Sequence, residues 1–165
     1  MTLRFRTLLI LALAGSLAAC GFQLRGQAPL PFASAYVDAG QGGLADRLRR
    51  QLDARQKLAP AREGAEIVVR LGQERRDKSI LSLSGAGKVR EYRLSHVIEM
   101  EVSRPDADPD AKPLLAPANL RTSRDFAHSD AQILAKETEE AQLNRDMEDE
   151  LLNQILRRLS LVPAR

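Results

Sequence analysis

The chain has 165 residues, with 25 Lys and Arg against 22 Asp and Glu, one Cys, no Trp, 4 Phe and 2 Tyr. One cysteine excludes a disulfide framework, and the scarcity of aromatics requires an aliphatic core. The near-balance of charge gives no electrostatic reason for a nucleic-acid partner.

The first segment does not belong to the fold. Arg4 and Arg6 precede an apolar run from Leu8 to Leu17, broken only by Gly15 and Ser16. A basic head, a short apolar centre and a small-residue exit make a secretory signal peptide; a spanning helix needs about 20 apolar residues. The exit, Leu17-Ala18-Ala19-Cys20, resembles the bacterial lipobox. There the thiol receives diacylglycerol, the chain is cut before the cysteine, and the new amine is acylated. Residues 1–19 are therefore expected to be a lipoprotein signal peptide, with Cys20 as the lipidation site. The alternative is an ordinary signal cut near Ala19 that leaves a free thiol. Gly21, in place of Asp, matches the default sorting of bacterial lipoproteins to the outer membrane, and several acyl chains anchor stably where one is marginal. An acyl anchor also places the domain outside the cytoplasm, away from nucleic acid.

Residues 20–34 read as a tether, with Gly26, Pro29 and Pro31. A single domain is expected over 35–162, large enough to bury roughly two-thirds of its unfolded surface. Ala35-Tyr36-Val37 is a short first strand. Leu44, Leu48 and Leu52 recur every fourth residue beside Ala45, which predicts an amphipathic helix ended by Pro60. Ile67, Val69 and Leu71 alternate with Glu66, Val68 and Arg70, the period of a strand. After Ser84-Gly85-Ala86-Gly87 the alternation returns: Tyr92, Leu94, Ile98, Met100 and Val102 on one side, Arg93, Ser95, Glu99 and Glu101 on the other. The glycines supply the backbone angles of a hairpin turn. A long hairpin from Glu66 to Arg104 with one buried face follows.

Residues 104–118 carry Pro105, Pro109, Pro113 and Pro117 and read as a loop, since proline cannot donate to a ladder. Leu120 to Phe126 is a fourth strand. Ser129-Asp130-Ala131-Gln132 fits a capping box. Leu143, Met147, Leu151, Ile155 and Leu159 then repeat every fourth residue, while Glu139, Gln142, Asp146, Asp149, Asn153 and Arg157 fall opposite, on what reads as a solvated face. The expected fold is α+β in two layers: two helices on one face of a four-stranded mixed sheet, in the order β-α-β-β-β-α.

Catalytic signatures are weak. His96 lies on the apolar side of a strand and reads as a satisfied core or edge residue; His128 reads as a loop residue. The sequence has no nucleophile elbow, phosphate-cradling loop or metal-ligand spacing. The chain is read as a non-enzyme, with no catalytic residues, no metal and no cofactor. Charge is more informative. Arg70, Arg75, Arg76, Lys78, Lys88, Arg90 and Arg93 outnumber Glu74, Asp77 and Glu91, and a hairpin gathers the cations at one end of the sheet. Such a cluster suits phosphates, or it is a charged sheet edge that resists aggregation.

Cys20-Gly21-Phe22-Gln23-Leu24-Arg25, the strand start Arg90-Glu91-Tyr92-Arg93-Leu94, and Ala135-Lys136-Glu137 in the last helix resemble the LptE (RlpB) family of lipopolysaccharide-assembly lipoproteins. The order of elements agrees along the whole mature chain. The resemblance implies an outer-membrane lipoprotein that forms a heterodimer with the β-barrel LptD, sits in its lumen as plug and assembly partner, and contacts lipopolysaccharide. It implies lipid-contact residues near the hairpin turn and at the lysine opening the last helix. Here these are Lys88, Arg90 and Lys136, although no basic residue occupies the turn tip itself. The alternative role for Lys136 is a local pair with Glu140. The alternative function is a stand-alone, periplasm-facing lipoprotein that binds a lipidic or small ligand.

Overall fold

The computed structural model describes residues 29–40, 43–107, 111–129 and 133–163. The expected signal peptide, Cys20, most of the tether and positions 130–132 of the capping box lie outside them. Seven elements follow in order: β1 (Ala35–Asp38), α1 (Gly43–Ala54), β2 (Ile67–Leu71), β3 (Arg75–Leu83), β4 (Val89–Ser103), β5 (Leu115–Ala127) and α2 (Ile133–Leu159). The fold is α+β with two helices on a mixed sheet, as expected, but the sheet has five strands instead of four.

β4 organises that sheet. β5 pairs antiparallel along nearly all of one edge, from Glu91↔Ala127 to Val102↔Leu115. The other edge is shared: β2 takes the end around Met100 to Ser103, and β3 takes Val89 to Val97. β1 lies parallel to β2, joined through α1. The first arm of the expected hairpin is thus two collinear strands separated by Gly72, Gln73 and Glu74. The Gly72 N–H still donates to the Glu99 carbonyl at 2.9 Å. A Cβ at Gly72 would stand 3.1 Å from that of Glu99, so a side chain here would press on β4.

β5 is the second departure from expectation. It begins at Leu115 and contains Pro117, where the sequence reads as loop. The pairing jumps from Met100↔Ala118 to Val102↔Leu115, so Ala116 and Pro117 together oppose Glu101. A proline is tolerated in such a bulge, on an edge strand whose other side has no partner to supply. Arg158 of α2 donates to the Ala116 carbonyl at 2.6 Å and pins the bulge to the helix layer.

The helical periodicities are realised. Leu44, Leu48 and Leu52 are fully buried, as are Met147, Leu151, Ile155 and Leu159. They cover Ile67, Val69, Leu71, Ile98, Met100 and Val102, the base of the sheet. At the other end only Leu94, Phe126 and Met147 close over, flanked by partly buried Tyr92 and Leu143.

Glu74, in the break between β2 and β3, joins both layers. Its Oε2 accepts the Leu44 N–H at 3.3 Å, at the start of α1. A carboxylate there meets the positive end of the helix dipole. Its Oε1 accepts Arg76 Nε at 2.9 Å. Arg76 reaches Glu148 of α2 at 2.9 Å, and Glu148 reaches Arg47 of α1 at 3.0 Å. Gly43, at φ 56°, leaves room for this carboxylate; a Cβ there would collide with Glu74 Oε2. Burial raises the Glu74 pKa, but the bonds from Arg76 and Leu44, with the charges of Arg76 and His96, outweigh it and hold the carboxyl below its ordinary value.

His96 is 1% exposed. Its Nε2 lies 2.6 Å from Glu74 Oε1, misaligned for a hydrogen bond, and Nδ1 has no partner either. It is a core residue, as the sequence implies, but not a satisfied one. Burial lowers its pKa below the ordinary value, with Glu74 opposing and Arg76 assisting. The unfolded chain therefore takes up a proton near pH 6.5 that the folded protein refuses. Stability should fall as pH drops from 7.5 towards 5.5. In urea titrations His96→Gln should flatten that slope; an undiminished slope in His96→Gln would assign the titration to another group.

Candidate functional site

Three end-of-sheet features converge away from the packed base. Tyr92 of β4 stacks on Phe126 of β5 with centroids 5.8 Å apart, and meets His128 edge-on at 5.2 Å. Adjacent antiparallel strands bring Tyr92 and Phe126 into register, and the His128 N–H donates to the Arg90 carbonyl at 2.8 Å. Lys78 of β3 lays its ammonium 4.5 Å from the Tyr92 centroid and 5.5 Å from that of Phe126. Glu140 of α2 binds the same ammonium. A cation over two rings gains from both faces, so this cluster ties the first half of α2 to the sheet.

Beyond the aromatic group the surface turns apolar. Ile80, Leu81 and Leu83 on β3 are 56%, 39% and 54% exposed, and Leu134 near the start of α2 is 80% exposed. β3 is exposed along almost its whole length, and among the described residues its second edge has no strand partner. The hairpin closes through Ser84, whose N–H donates to the Lys88 carbonyl at 2.7 Å, with Gly87 at φ 76°.

The predicted basic cluster is dispersed. Arg70 sits at the other end of the sheet with Asp38 and Glu101. Arg76 and Lys78 face the helices and pair with Glu148 and Glu140. Arg93, on the opposite face, forms a two-pronged bond with Asp125 at 2.7 and 2.9 Å; this raises the pKa of the guanidinium and lowers that of the carboxyl. Among the described residues, Arg75 and Arg90 have no carboxylate partner. Two-fold alternation decides this split, since neighbours along a strand point to opposite faces.

Of the three residues singled out for lipid contact, Lys88 and Arg90 lie at the hairpin, both exposed. Lys136 lies on α2, half-buried, and pairs with Glu139 at 2.8 Å. The expected partner Glu140 is instead taken by Lys78. Sequence reasoning missed the cluster of Tyr92, Phe126 and His128 and, separately, the linking role of Glu74. The signal for Glu74 was a lone carboxylate just after a glycine that interrupts the strand alternation. The solvated face assigned to α2 also needs correction, because Asp149 pairs with Arg47 of α1.

The site combines exposed aliphatic side chains, guanidinium and ammonium groups, and an aromatic floor. That chemistry suits an amphiphile with anionic head and apolar tail. Among the described residues, no group of three or more His, Cys, Asp or Glu has the arrangement of a metal site. No helix among them is long and apolar enough to cross a membrane.

The chain is similar to known proteins over most of its length. A model of the LptE family, described as lipopolysaccharide-assembly, matches residues 31–159. The LPS-assembly lipoprotein LptE of Photorhabdus laumondii is 27% identical over 150 residues, covering 88% of this chain and 79% of that protein. The solution structure of uncharacterized lipoprotein B from Nitrosomonas europaea is 33% identical and superposes with a TM-score of 0.70, covering 85% of this chain and 90% of that one. The rare lipoprotein B of Shewanella oneidensis, at 24% identity, shares the fold, with a TM-score of 0.62 over 77% of this chain and 92% of its own. A family match that takes in every strand and both helices, on an architecture shared with solved lipoproteins, means that the chain belongs to the LptE family of lipopolysaccharide-assembly lipoproteins.

Proposed function

We propose that this lipoprotein is anchored to the outer membrane through acylated Cys20 and pairs with the LptD β-barrel. It acts as plug and assembly partner for delivery of lipopolysaccharide to the cell surface. The observation that carries this reading is the family match over residues 31–159. Residues 1–19 are the signal peptide removed on export, 20–34 the tether and 35–162 the domain. The role needs no catalysis. It needs a rigid body with a polar exterior, because barrel lumens are polar. A two-layer fold whose sheet carries Arg93, Asp125, Glu91 and Arg121 on the face away from the helices supplies one.

Lipopolysaccharide contact is assigned to the hairpin end. Lys88 and Arg90 would meet phosphates, with Ile80, Leu81 and Leu83 beside the acyl chains. Lys136 would join them from α2 by exchanging Glu139 for a phosphate. Charge-assisted bonds to phosphate are stronger than neutral ones, and they weaken with salt.

Mild detergent extraction of the native outer membrane should bring the lipoprotein out with a partner of barrel size, identified by mass. Migration as a lone chain without a barrel-sized partner would favour the stand-alone reading. Intact-mass measurement should find the mature chain starting at a triply acylated Cys20; an unmodified residue would remove the anchor. Replacing Lys88, Arg90 and Lys136 together by glutamine should weaken capture of purified lipopolysaccharide by about ten-fold at low salt and flatten its salt dependence. Unchanged capture would move the contact elsewhere.

A further inference from the structure

Residues 20–28 join the proposed acyl anchor to the domain and lie outside the described residues. Beyond Cys20 they have no task in the function proposed above. Their pattern is nevertheless that of an extended chain with one apolar face. Phe22, Leu24, Gly26 and Ala28 alternate with Gln23, Arg25 and Gln27. The alternation continues in phase into the domain. Leu30 and Phe32 are 8% and 2% exposed and belong to the core, while Pro29 and Ala33 are exposed. A two-residue period puts Phe22 and Leu24 on the same side as these buried side chains. The chain enters the domain beside a groove of about 470 Å³ at the base of the sheet. The Ala33 N–H donates to Glu66 Oε2 at 2.6 Å, and the Ser34 carbonyl accepts the Glu66 and Ile67 N–H groups at 3.2 Å. Glu66 and Ile67 both line the groove. Ile67 and Val162, at 1% and 5% exposure, give it an apolar floor, and Pro105 and Leu114 are partly exposed walls.

We propose that residues 22–28 dock along this groove, with Phe22 and Leu24 against its apolar floor. Three features favour this segment as occupant. The first is attachment: Ala33 already bonds to the groove wall, so the segment is held at high effective concentration. The second is reach. From Ala33 back to Leu24 an extended chain spans about 30 Å, ample for a groove whose wall it touches. The third is the rim. Arg104 and Lys112 stand there with Glu66 and Asp106, two charges of each sign, which gives no excess to draw a free anion. Apolar contact therefore decides the occupant, and the segment brings two large apolar side chains with a single charge, Arg25. With Cys20 acylated, as the function above has it, docking would hold the anchor at the base of the domain and turn that end towards the bilayer.

The test uses the full acylated chain in neutral detergent. Arg25 is the only Lys or Arg between Cys20 and Arg47, so trypsin reports on the segment at one site. Cleavage after Arg25 should be about ten-fold slower in the parent than in Phe22→Ser/Leu24→Ser; circular dichroism should confirm that the variant folds. A photoreactive p-benzoylphenylalanine placed at position 24 should crosslink within the same chain to the peptide carrying Leu114 or the one carrying Val162, mapped by mass. This second arm separates the groove from the detergent, which could also shield Arg25. Equal cleavage of parent and double variant would overturn the proposal. So would capture of detergent alone, crosslinks between chains, or crosslinks spread over the surface. Intact mass of the same sample reports the state of Cys20, so failure of the anchor and failure of the docking are told apart.

Discussion

The carboxylate of Glu74 links the sheet to the helix layer at the one break in the edge of β4. β4 is longer than either strand on its first edge, so that edge must be built from two pieces, and Glu74 lies in the gap between them. From there it caps α1, fixes Arg76 and stands against His96. Arg76 carries the connection on to Glu148 of α2, and Glu148 returns it to Arg47 of α1. Two glycines make the arrangement possible, Gly72 by its closeness to Glu99 and Gly43 by yielding space to the carboxylate. Charges of both signs within a half-buried network stabilise only when all are satisfied. His96, with neither ring nitrogen aligned to a partner, is where this network is incomplete.

The molecule is unevenly packed along its length. At the base, both helices press on β1, β2 and the second half of β4, and the buried aliphatic side chains form one continuous core. Towards the hairpin the cover thins to Leu94, Phe126 and Met147, and β3 extends with one edge open. A secure base and a lightly covered tip fit a protein that is held at one end and makes contacts with the other. Apolar side chains left on an open edge are an aggregation hazard for a free protein.

The distribution of charge is governed by pairing more than by clustering. Most of the cations near the hairpin are neutralised by a carboxylate from a different element: Lys78 by Glu140, Arg93 by Asp125, Arg76 by Glu74 and Glu148. These pairs set the register of strands and the tilt of α2 over the sheet. Among the described residues near the hairpin, Arg75 and Arg90 have no such carboxylate partner.

Much of this was legible in the order of residues. Four-residue spacing in α1 and α2 and two-residue alternation in β2 and β4 report which side chains meet the core, because those periods belong to the backbone itself. The run from Cys20 to Arg25, the arginine-flanked start of β4 and Ala135-Lys136-Glu137 in α2 carried the family resemblance. The break at Gly72–Glu74 was not legible, because alternation looks the same whether a strand is whole or divided; the demand came from the length of β4. The reach of β5 through Pro117 was hidden for a similar reason. Proline forbids a ladder donor only where a neighbour needs one, and whether a strand lies at an edge is a property of the assembled sheet. Which arginine pairs with which carboxylate, and so which remain unpaired, depends on residues up to about a hundred positions apart meeting in space, as Arg47 meets Glu148. Local sequence determined the elements and their apolar faces; the tertiary structure alone decided the partners, because only packing brings distant charges within reach of one another.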